Sequence, residues 1–598
     1  MSPPVFVVLS AGGLATARRL RRALGGELHG LAGRADDAEI VFESVAPHLA
    51  GLFEAGRPIV GLMAAGVLVR SLAPLIADKT AEPPVLAVAE DGSAVVPLLG
   101  GHRGGNELAR RIGDALGVAA AITTAGDVRF GLALDAPPPG WRVANPERAK
   151  AVTAALLAGT PVGLTVEAGD AGWLSAGGAD FAEVGEHGIL LTDRAVASDD
   201  GVLLLHPATL VLGLGAERGT EPGELLALAQ SVLAESGLSP LSLACVASLD
   251  LKADEPAILA VAARYGVPAR FFTAAALEAE TPRLANPSDT VYRAVGSHGV
   301  AEAAALAAAG AGAALAVAKR KSARGTAALA RATGIIEPST VGRAAGRLSV
   351  VGIGPGAAQW RTAEAISALR RAEAVVGYGR YLDLVADLID GKPRLDYPLG
   401  TEAERVRHAL ALAAEGREVA LVSSGDAGIY AMAALVFELI DAAGEESWRH
   451  LAVEVVPGIS ALQAAAARAG APLGHDFCAV SLSDLLTPLA TIERRLEAAA
   501  AADFVIALYN PASATRREPL ARALAILARH RDASTPVVLA RNLGRADEAV
   551  EVLTLAELRP DAVDMLTLLL IGSSASRVVA GAGGRRRVYT PRGYEARR

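Results

Sequence analysis

The stretch Leu348-Ser-Val-Val-Gly-Ile-Gly-Pro-Gly356 decides how the chain is read. A short β-branched run passes straight into a glycine–proline turn, the pattern of a buried strand ending in a tight loop. Gly352, Gly354 and Gly356 tolerate positive φ and let another group approach the backbone, and Pro355 stiffens the loop. The next helix is expected near Thr362, a good N-cap residue with Glu364 in its first turn. Gly352-x-Gly354-x-x-Ala357 also fits a dinucleotide fingerprint. In that motif the helix opens on the loop and faces a pyrophosphate, whereas here residues Ala357 to Arg361 intervene. The loop better suits a ligand held by carbonyls and van der Waals contact, with a nicotinamide oxidoreductase as the rival.

Downstream, strand and helix patterns alternate. Val419–Val422 runs into Ser423-Ser-Gly-Asp-Ala-Gly-Ile-Tyr430, Val453–Val456 into Pro457-Gly-Ile-Ser-Ala461, and Phe504–Leu508 into Tyr509-Asn-Pro511. Thr401-x-x-Glu404 has the form of a capping box. Strand ends that run into such loops are where open α/β sheets bind ligands. Pro355, Asp426, Ser460 and Asn510 are therefore expected to line one cleft.

Upstream, residues 331–347 carry little pattern and read as a linker. Before them, residues 206–330 form another α/β unit, with strands at Thr209–Leu214 and Leu243–Ser248 and a charged loop Asp250-Leu-Lys-Ala-Asp-Glu255. The run from Ala303 to Ala318 reads as an alanine-rich packed helix, although Ala314–Ala318 is also strand-like. Lys319-Arg-Lys-Ser322 is either a solvated turn or a hold on an anion. Residues 131–205 give weak signals and read as a small middle domain. Residues 1–130 alternate strand and helix and include a hairpin around Asp91-Gly92. There Leu99-Gly-Gly-His-Arg-Gly-Gly-Asn-Glu107 gathers a base, His102, and a carboxylate, Glu107, among glycines.

The 598 residues suit several domains, and 52% hydrophobic against 20% charged residues argues against global disorder. A net charge of -8 and a pI near 5.8 speak against a nucleic-acid partner. Cys245 and Cys478 lie far apart, so neither a disulfide framework nor a metal site is expected. With no signal-peptide pattern and no apolar run of spanning length, the expectation is a cytoplasmic enzyme without a membrane partner.

Gly352-Ile-Gly-Pro-Gly356, Ser424-Gly-Asp-Ala-Gly-Ile-Tyr430 and Val456-Pro-Gly-Ile-Ser460 together resemble the tetrapyrrole (precorrin) methylases over residues 348–590. Leu508-Tyr-Asn-Pro511 with Arg541-Asn542 is most similar to the precorrin-3B C(17)-methyltransferase branch. The resemblance implies two α/β lobes with S-adenosylmethionine between them, held by Pro355, Gly356, Gly425, Asp426, Ile429, Ser460, Ala461, Leu508, Tyr509 and Asn510. It further implies methylation of ring carbon 17 with contraction of the macrocycle, and pairing into a homodimer through the methylase domain. Residues 1 to about 330 resemble the cobalt-precorrin-5A hydrolases, on the marks Gly61–Lys79, Leu99–Arg111, Gly213–Gly219, Asp250–Glu255 and Val300-Ala-Glu302. That implies opening of a ring-A δ-lactone with loss of acetaldehyde; the alternative is a module that only carries or shields the tetrapyrrole. From chemistry alone His102 is the base, Glu107 its orienter and the Gly104 and Gly105 amides the oxyanion donors. Methyl transfer needs placement more than acid–base help, and Arg361, Arg380, Arg541 and Arg545 are candidate clamps for a polycarboxylate substrate.

Overall fold

The computed structural model describes residues 3–77, 82–124, 129–130, 133–176, 178–197, 200–442, 446–513, 516–581 and 585–592. The chain divides into two compact units, Met1–Ala345 and Gly346–Arg598.

The first unit contains three sheets. A six-stranded sheet has the order Ile40–Phe42, Glu27–Leu31, Val5–Val8, Ile59–Leu62, Val85–Val88, Val95–Leu99. It is parallel except for its last strand, which returns through the turn at Gly92. Short all-apolar strands such as Val5–Val8 are buried along their whole length, as a sheet covered on both faces requires. A four-stranded sheet, ordered Trp141–Val143, Val202–Pro207, His187–Leu191, Val162–Val166, follows and extends past the expected boundary at 205. The third sheet is ordered Ala269–Phe272, Leu243–Leu249, Leu210–Ala216, Gly325–Arg331, Ala314–Lys321. The alanine-rich run is not one helix. Helix Ala301–Ala309 stops at Gly310, and Ala314–Lys321 is a strand paired antiparallel with Gly325–Arg331. The basic cluster at its end is tied into the protein: Lys319 Nζ donates to the Asn286 carbonyl, Arg320 pairs with Glu235, and Ser322 donates to Glu224.

Of the stretch expected as a linker, 331–347, residues 331–345 lie in ordered contact with the first unit, while Gly346 and Arg347 open the second. Arg331 ends a strand, the Ala332 and Ile336 amides donate to the Thr209 and Ala208 carbonyls at 2.8 and 2.9 Å, and Arg343 pairs backbone to backbone with Phe271. The Arg270 guanidinium donates to the carbonyls of Val341 and Gly342. Ile336 is only 7% exposed. Pattern reading fails here because the segment is sewn down by its backbone rather than by an apolar periodicity. A cut between Ala345 and Gly346 should therefore give two pieces that melt separately. A first piece ending at Arg331 should be less stable by about 2 kcal/mol, the burial of one Ile-sized side chain. Thermal melts of the two first-unit pieces check this; equal midpoints would show that 332–345 stabilises nothing.

The second unit has two main sheets. The first, all parallel, is ordered Arg394–Tyr397, Ala374–Tyr378, Glu418–Ser423, Arg347–Gly352, Ala452–Val456. The second is mixed and ordered Phe477–Ser481, Val505–Tyr509, Thr567–Ile571, Pro536–Arg541, Ala549–Thr554. A small three-stranded sheet joins Gly470–Ala471, Arg586–Tyr589 and Arg577–Ala580. Thr362 caps helix Ala363–Arg371 through its hydroxyl, as expected. Thr401 does not form the expected capping box: its hydroxyl donates to the Pro398 carbonyl, and no side-chain cap forms at helix Glu402–Ala414. A complete box occurs instead at Ser460 and Gln463, at the start of helix Ala461–Ala469.

Candidate functional site

In the second unit three strands of the parallel sheet end side by side, and their loops interlock. The Gly354 amide donates to the Gly425 carbonyl at 3.1 Å and the Gly425 amide returns the bond at 2.8 Å. Strand Arg347–Gly352 lies between strands Glu418–Ser423 and Ala452–Val456, so the three turns converge. Asp426 brackets them: its Oδ1 accepts from the Gly428 amide at 2.8 Å and its Oδ2 from the Gly458 amide at 3.0 Å. The Gly354 and Gly425 amides are spent on each other, and Ala358–Trp360 is only a 3-10 turn, so helix Ala363–Arg371 does not open on the Gly352–Gly356 loop as the dinucleotide fingerprint requires. That removes the physical basis of the nicotinamide reading.

The loops floor a cleft whose other wall comes from the mixed sheet. It is lined by Pro355, Tyr381, Ser424, Gly425, Asp426, Ile429, Tyr430, Ser460, Ala461, Tyr509, Asn510, Ala540, Asn542, Leu543, Arg545 and Met565–Leu568. Eight of the residues expected to hold the cofactor are therefore brought together: Pro355, Gly425, Asp426, Ile429, Ser460, Ala461, Tyr509 and Asn510. Gly356 and Leu508 stand apart from this lining. A Cβ on Gly356 would meet the Leu543 carbonyl oxygen at 2.7 Å, so this glycine permits contact between two backbones. Leu508 is fully buried in the core beneath the cleft.

Tyr381, Tyr430, Asn542 and Met565–Leu568 were not anticipated as lining residues. Backbone strain marks three positions around the cleft: Tyr430, Asn510 and Asn542 have φ of 51°, 49° and 50°. Non-glycine residues rarely adopt this left-handed region, and such strain gathers at ligand sites. Asn510 Nδ2 donates to Ser481 and the Arg516 guanidinium to the Asn510 carbonyl, which hold the turn open. Tyr509 Oη accepts from the Leu462 amide at 3.0 Å, and the Tyr430 hydroxyl donates to the Ala479 carbonyl. Burial pushes the Tyr509 and Tyr381 hydroxyls above the usual phenol range, for Tyr381 against the pull of Arg545. Both stay protonated and able to donate near neutral pH. Asn542 is 6% exposed, and its Oδ1, like Arg545 Nε, is buried without a hydrogen-bond partner. Buried polar atoms in this state are expensive unless a ligand or water satisfies them. Among the candidate clamps, Arg361 is committed to Asp387 and the Leu384 carbonyl and Arg541 to Asp564; Arg380 is exposed, and Arg545 reaches the cleft.

In the first unit the glycine-rich loop forms a 3-10 turn, Gly101–Arg103, ahead of helix Gly105–Leu116. The His102 side chain lies outside the described residues. Glu107 is 61% exposed and stands 3.5 Å from Arg110 on its own helix. The Gly105 amide already donates to the Gly100 carbonyl at 2.9 Å, so it is spent as an oxyanion donor. Burial pushes the Cys245 thiol up to about 12, so it is no nucleophile.

Residues 347–559 match the family described as Tetrapyrrole (Corrin/Porphyrin) Methylases. A probable cobalt-factor III C(17)-methyltransferase of Salmonella typhimurium is 47% identical over 249 residues, which cover 41% of this chain and 99% of that protein. The chain belongs to the tetrapyrrole methylase family. A precorrin-3B C(17)-methyltransferase of a Sinorhizobium species is 45% identical over 249 residues, 42% of this chain and 97% of the relative. The crystal structure of the methyltransferase CobJ, 40% identical, covers 41% of this chain and all of its own, with a TM-score of 0.39. Ahead of the methylase region, residues 47–127 match Cobalamin synthesis G N-terminal and residues 210–330 Cobalamin synthesis G C-terminus. The chain is a fusion of these domains with a methylase. Among the described residues no helix is long and apolar enough to cross a membrane.

Proposed function

We propose that the second unit transfers a methyl group from S-adenosylmethionine to carbon 17 of precorrin-3B or its cobalt analogue, with ring contraction, and that the first unit opens the ring-A δ-lactone of cobalt-precorrin-5A with release of acetaldehyde. The observation that carries the methylase reading is the identity of 47% along essentially the whole of a C(17)-methyltransferase. The cobalamin synthesis G domains support the second activity.

The cleft fits the cofactor on its own terms. It offers an unpartnered acceptor, Asn542 Oδ1, and an unpartnered donor, Arg545 Nε, tyrosine rings from Tyr430 and Tyr509 with centroids 5.2 Å apart, and an apolar rim of Ile429, Met565 and Leu566. Aromatic faces of this kind favour a cationic group. When bound, S-adenosylmethionine supplies an electrophilic methyl on a sulfonium. The chain's own residues then orient and shield. The interlocked turns fix the floor, Asn542 and Arg545 take polar groups of a ligand, and the apolar rim excludes water. Placement of this kind can account for about 7–11 kcal/mol of a barrier, so no general base is required in the cleft for the transfer. Of the four candidate clamps, the exposed Arg380 and the cleft-lining Arg545 are the two placed to meet a polycarboxylate substrate.

Incubating the full chain with precorrin-3B and S-adenosylmethionine, and following product mass and absorbance, tests the methylase reading. The expected product gains one methyl and carries a contracted macrocycle. An unmethylated tetrapyrrole, with the cobalt form equally inert, would overturn it.

A further inference from the structure

The third sheet of the first unit places a second group of reactive side chains at the carboxyl ends of two adjacent parallel strands, Leu210–Ala216 and Leu243–Leu249. This is the edge of an open α/β sheet at which ligands bind. The loop after the first strand carries Glu217 and Arg218, and the loop after the second carries Lys252, Asp254 and Glu255. Both loops are built rigidly. Arg324 donates to the Gly219 carbonyl at 3.1 Å and the Arg218 carbonyl at 2.6 Å while pairing with Glu217 at 3.1 Å. Arg218 in turn bridges Asp254 at 2.6 Å and Glu255 at 3.8 Å, and Arg343 pairs with Asp250 at 3.5 Å.

Two groups in this frame are left over. Glu255 is 1% exposed, and its Oε1 is buried with no hydrogen-bond partner. Lys252 is half-buried, and among the described residues its amine has neither a hydrogen bond nor an ion pair. A buried carboxylate oxygen and an unpaired amine in one rigid corner are costly for stability and serve no packing purpose. The neighbouring Glu302 shows the contrast. It is also buried, yet its oxygens accept from the Asn286 amide, the Asn286 side chain and the Lys319 amide, so it is a structural tie.

The geometry points to this corner as the catalytic centre of the first unit, with Lys252 as the base that acts on a lactone of an anionic tetrapyrrole and Glu255 as the residue that positions and tunes it. The inference rests on the lactone-opening reading given above. The groups that face Lys252 have opposing effects. Burial and then the Arg218 charge lower the amine below the usual lysine range, while Glu255, Asp254 and Glu217 pull it back up. A desolvated lysine beside another cation is a recognised way to make an amine basic catalyst near neutral pH.

The steps balance without an oxidant. Water forms a C–O bond to the lactone carbonyl as the neutral Lys252 amine takes its proton. The ring C–O bond then breaks, and the leaving alkoxide recovers that proton from the ammonium, leaving a carboxylic acid and a hydroxyl. In the fragmentation, the hydroxyl gives its proton to the same amine and the C–C bond to the macrocycle breaks. The electron pair passes into the conjugated ring, acetaldehyde departs, and the ammonium returns the proton to the macrocycle.

The test uses the full chain and cobalt-precorrin-5A, with acetaldehyde release measured across pH. Lys252→Arg keeps the charge but cannot lose its proton, so kcat is expected to fall by about 10²–10⁴-fold with KM little changed. Lys252→Ala is expected to recover rate with added ethylamine in proportion to the free amine. Glu255→Gln removes a charge that favours the ammonium, so the acidic limb of the pH profile should move to lower pH, which a purely structural role would not do. Wild-type turnover by Lys252→Arg, or no amine rescue of Lys252→Ala, overturns Lys252 as the base. An unmoved limb in Glu255→Gln overturns its tuning role. Absence of acetaldehyde from the wild-type chain would instead sink the lactone-opening reading itself.

Discussion

Replacing Gly458 with valine is expected to abolish the proposed binding of S-adenosylmethionine by the full-length chain. A Cβ at this position would stand 2.2 Å from the Gly425 carbonyl oxygen and 2.7 Å from the Gly352 carbonyl carbon and oxygen. None of these neighbours is the end of a flexible side chain; all are backbone atoms of turns that floor the cleft. Gly352 is under the same constraint, since its own Cβ would meet the Gly425 oxygen at 2.8 Å and the Gly458 nitrogen at 2.9 Å. Overpacking of ordinary cores costs about 1–3 kcal/mol because side chains shift. Here the turns must separate, which breaks the Gly354–Gly425 bonds and the Asp426 bracket together. Calorimetric titration with the cofactor measures the loss. Gly223→Ala, where a Cβ meets nothing within 4 Å, is the matched control and should bind normally. Unchanged affinity in Gly458→Val would mean that the cofactor does not use this floor.

The floor was legible in the sequence and much of the wall was not, for a physical reason. Pro355, Asp426 and Ser460 sit where an apolar strand stops at glycine or proline, and such turns announce themselves. Ala540 and Met565–Leu568 reach the cleft from the ends of strands in a mixed sheet, with no turn residue to mark them. Asn542 did carry a signal: an asparagine directly after strand Pro536–Arg541 suits a left-handed backbone, which it adopts. The two capping patterns show the limits of a spacing rule. Ser460-x-x-Gln463 forms the reciprocal bonds, while Thr401-x-x-Glu404 has the same form and loses its hydroxyl to a nearby carbonyl. In the first unit, strands Glu27–Leu31 and Ile40–Phe42 went unread. The first buries a histidine, which breaks the apolar run. His29 is accommodated by Glu27 and His48 at 3.0 and 2.8 Å, partners that only the fold supplies.

Asp426→Asn tests what the most prominent carboxylate in the cleft does. Its two oxygens already accept from the Gly428 and Gly458 amides, so the expected effect on the proposed cofactor runs through the turns it holds together. Asparagine retains one acceptor and turns an NH2 group toward the other amide, where two donors then face each other. Losing a charged acceptor and leaving a partly buried N–H unsatisfied costs about 1.5–3 kcal/mol. Because about 1.4 kcal/mol corresponds to a tenfold change in affinity, the cofactor should bind roughly 10- to 100-fold more weakly. Once the cofactor is saturating, kcat for methyl transfer should return close to wild type, because the carboxylate arranges the floor and takes no part in moving the methyl group. Initial rates at rising S-adenosylmethionine separate the two effects. A kcat that stays low at saturation would give Asp426 a role in the reaction itself, while an unchanged KM would show that the turns keep their arrangement without it.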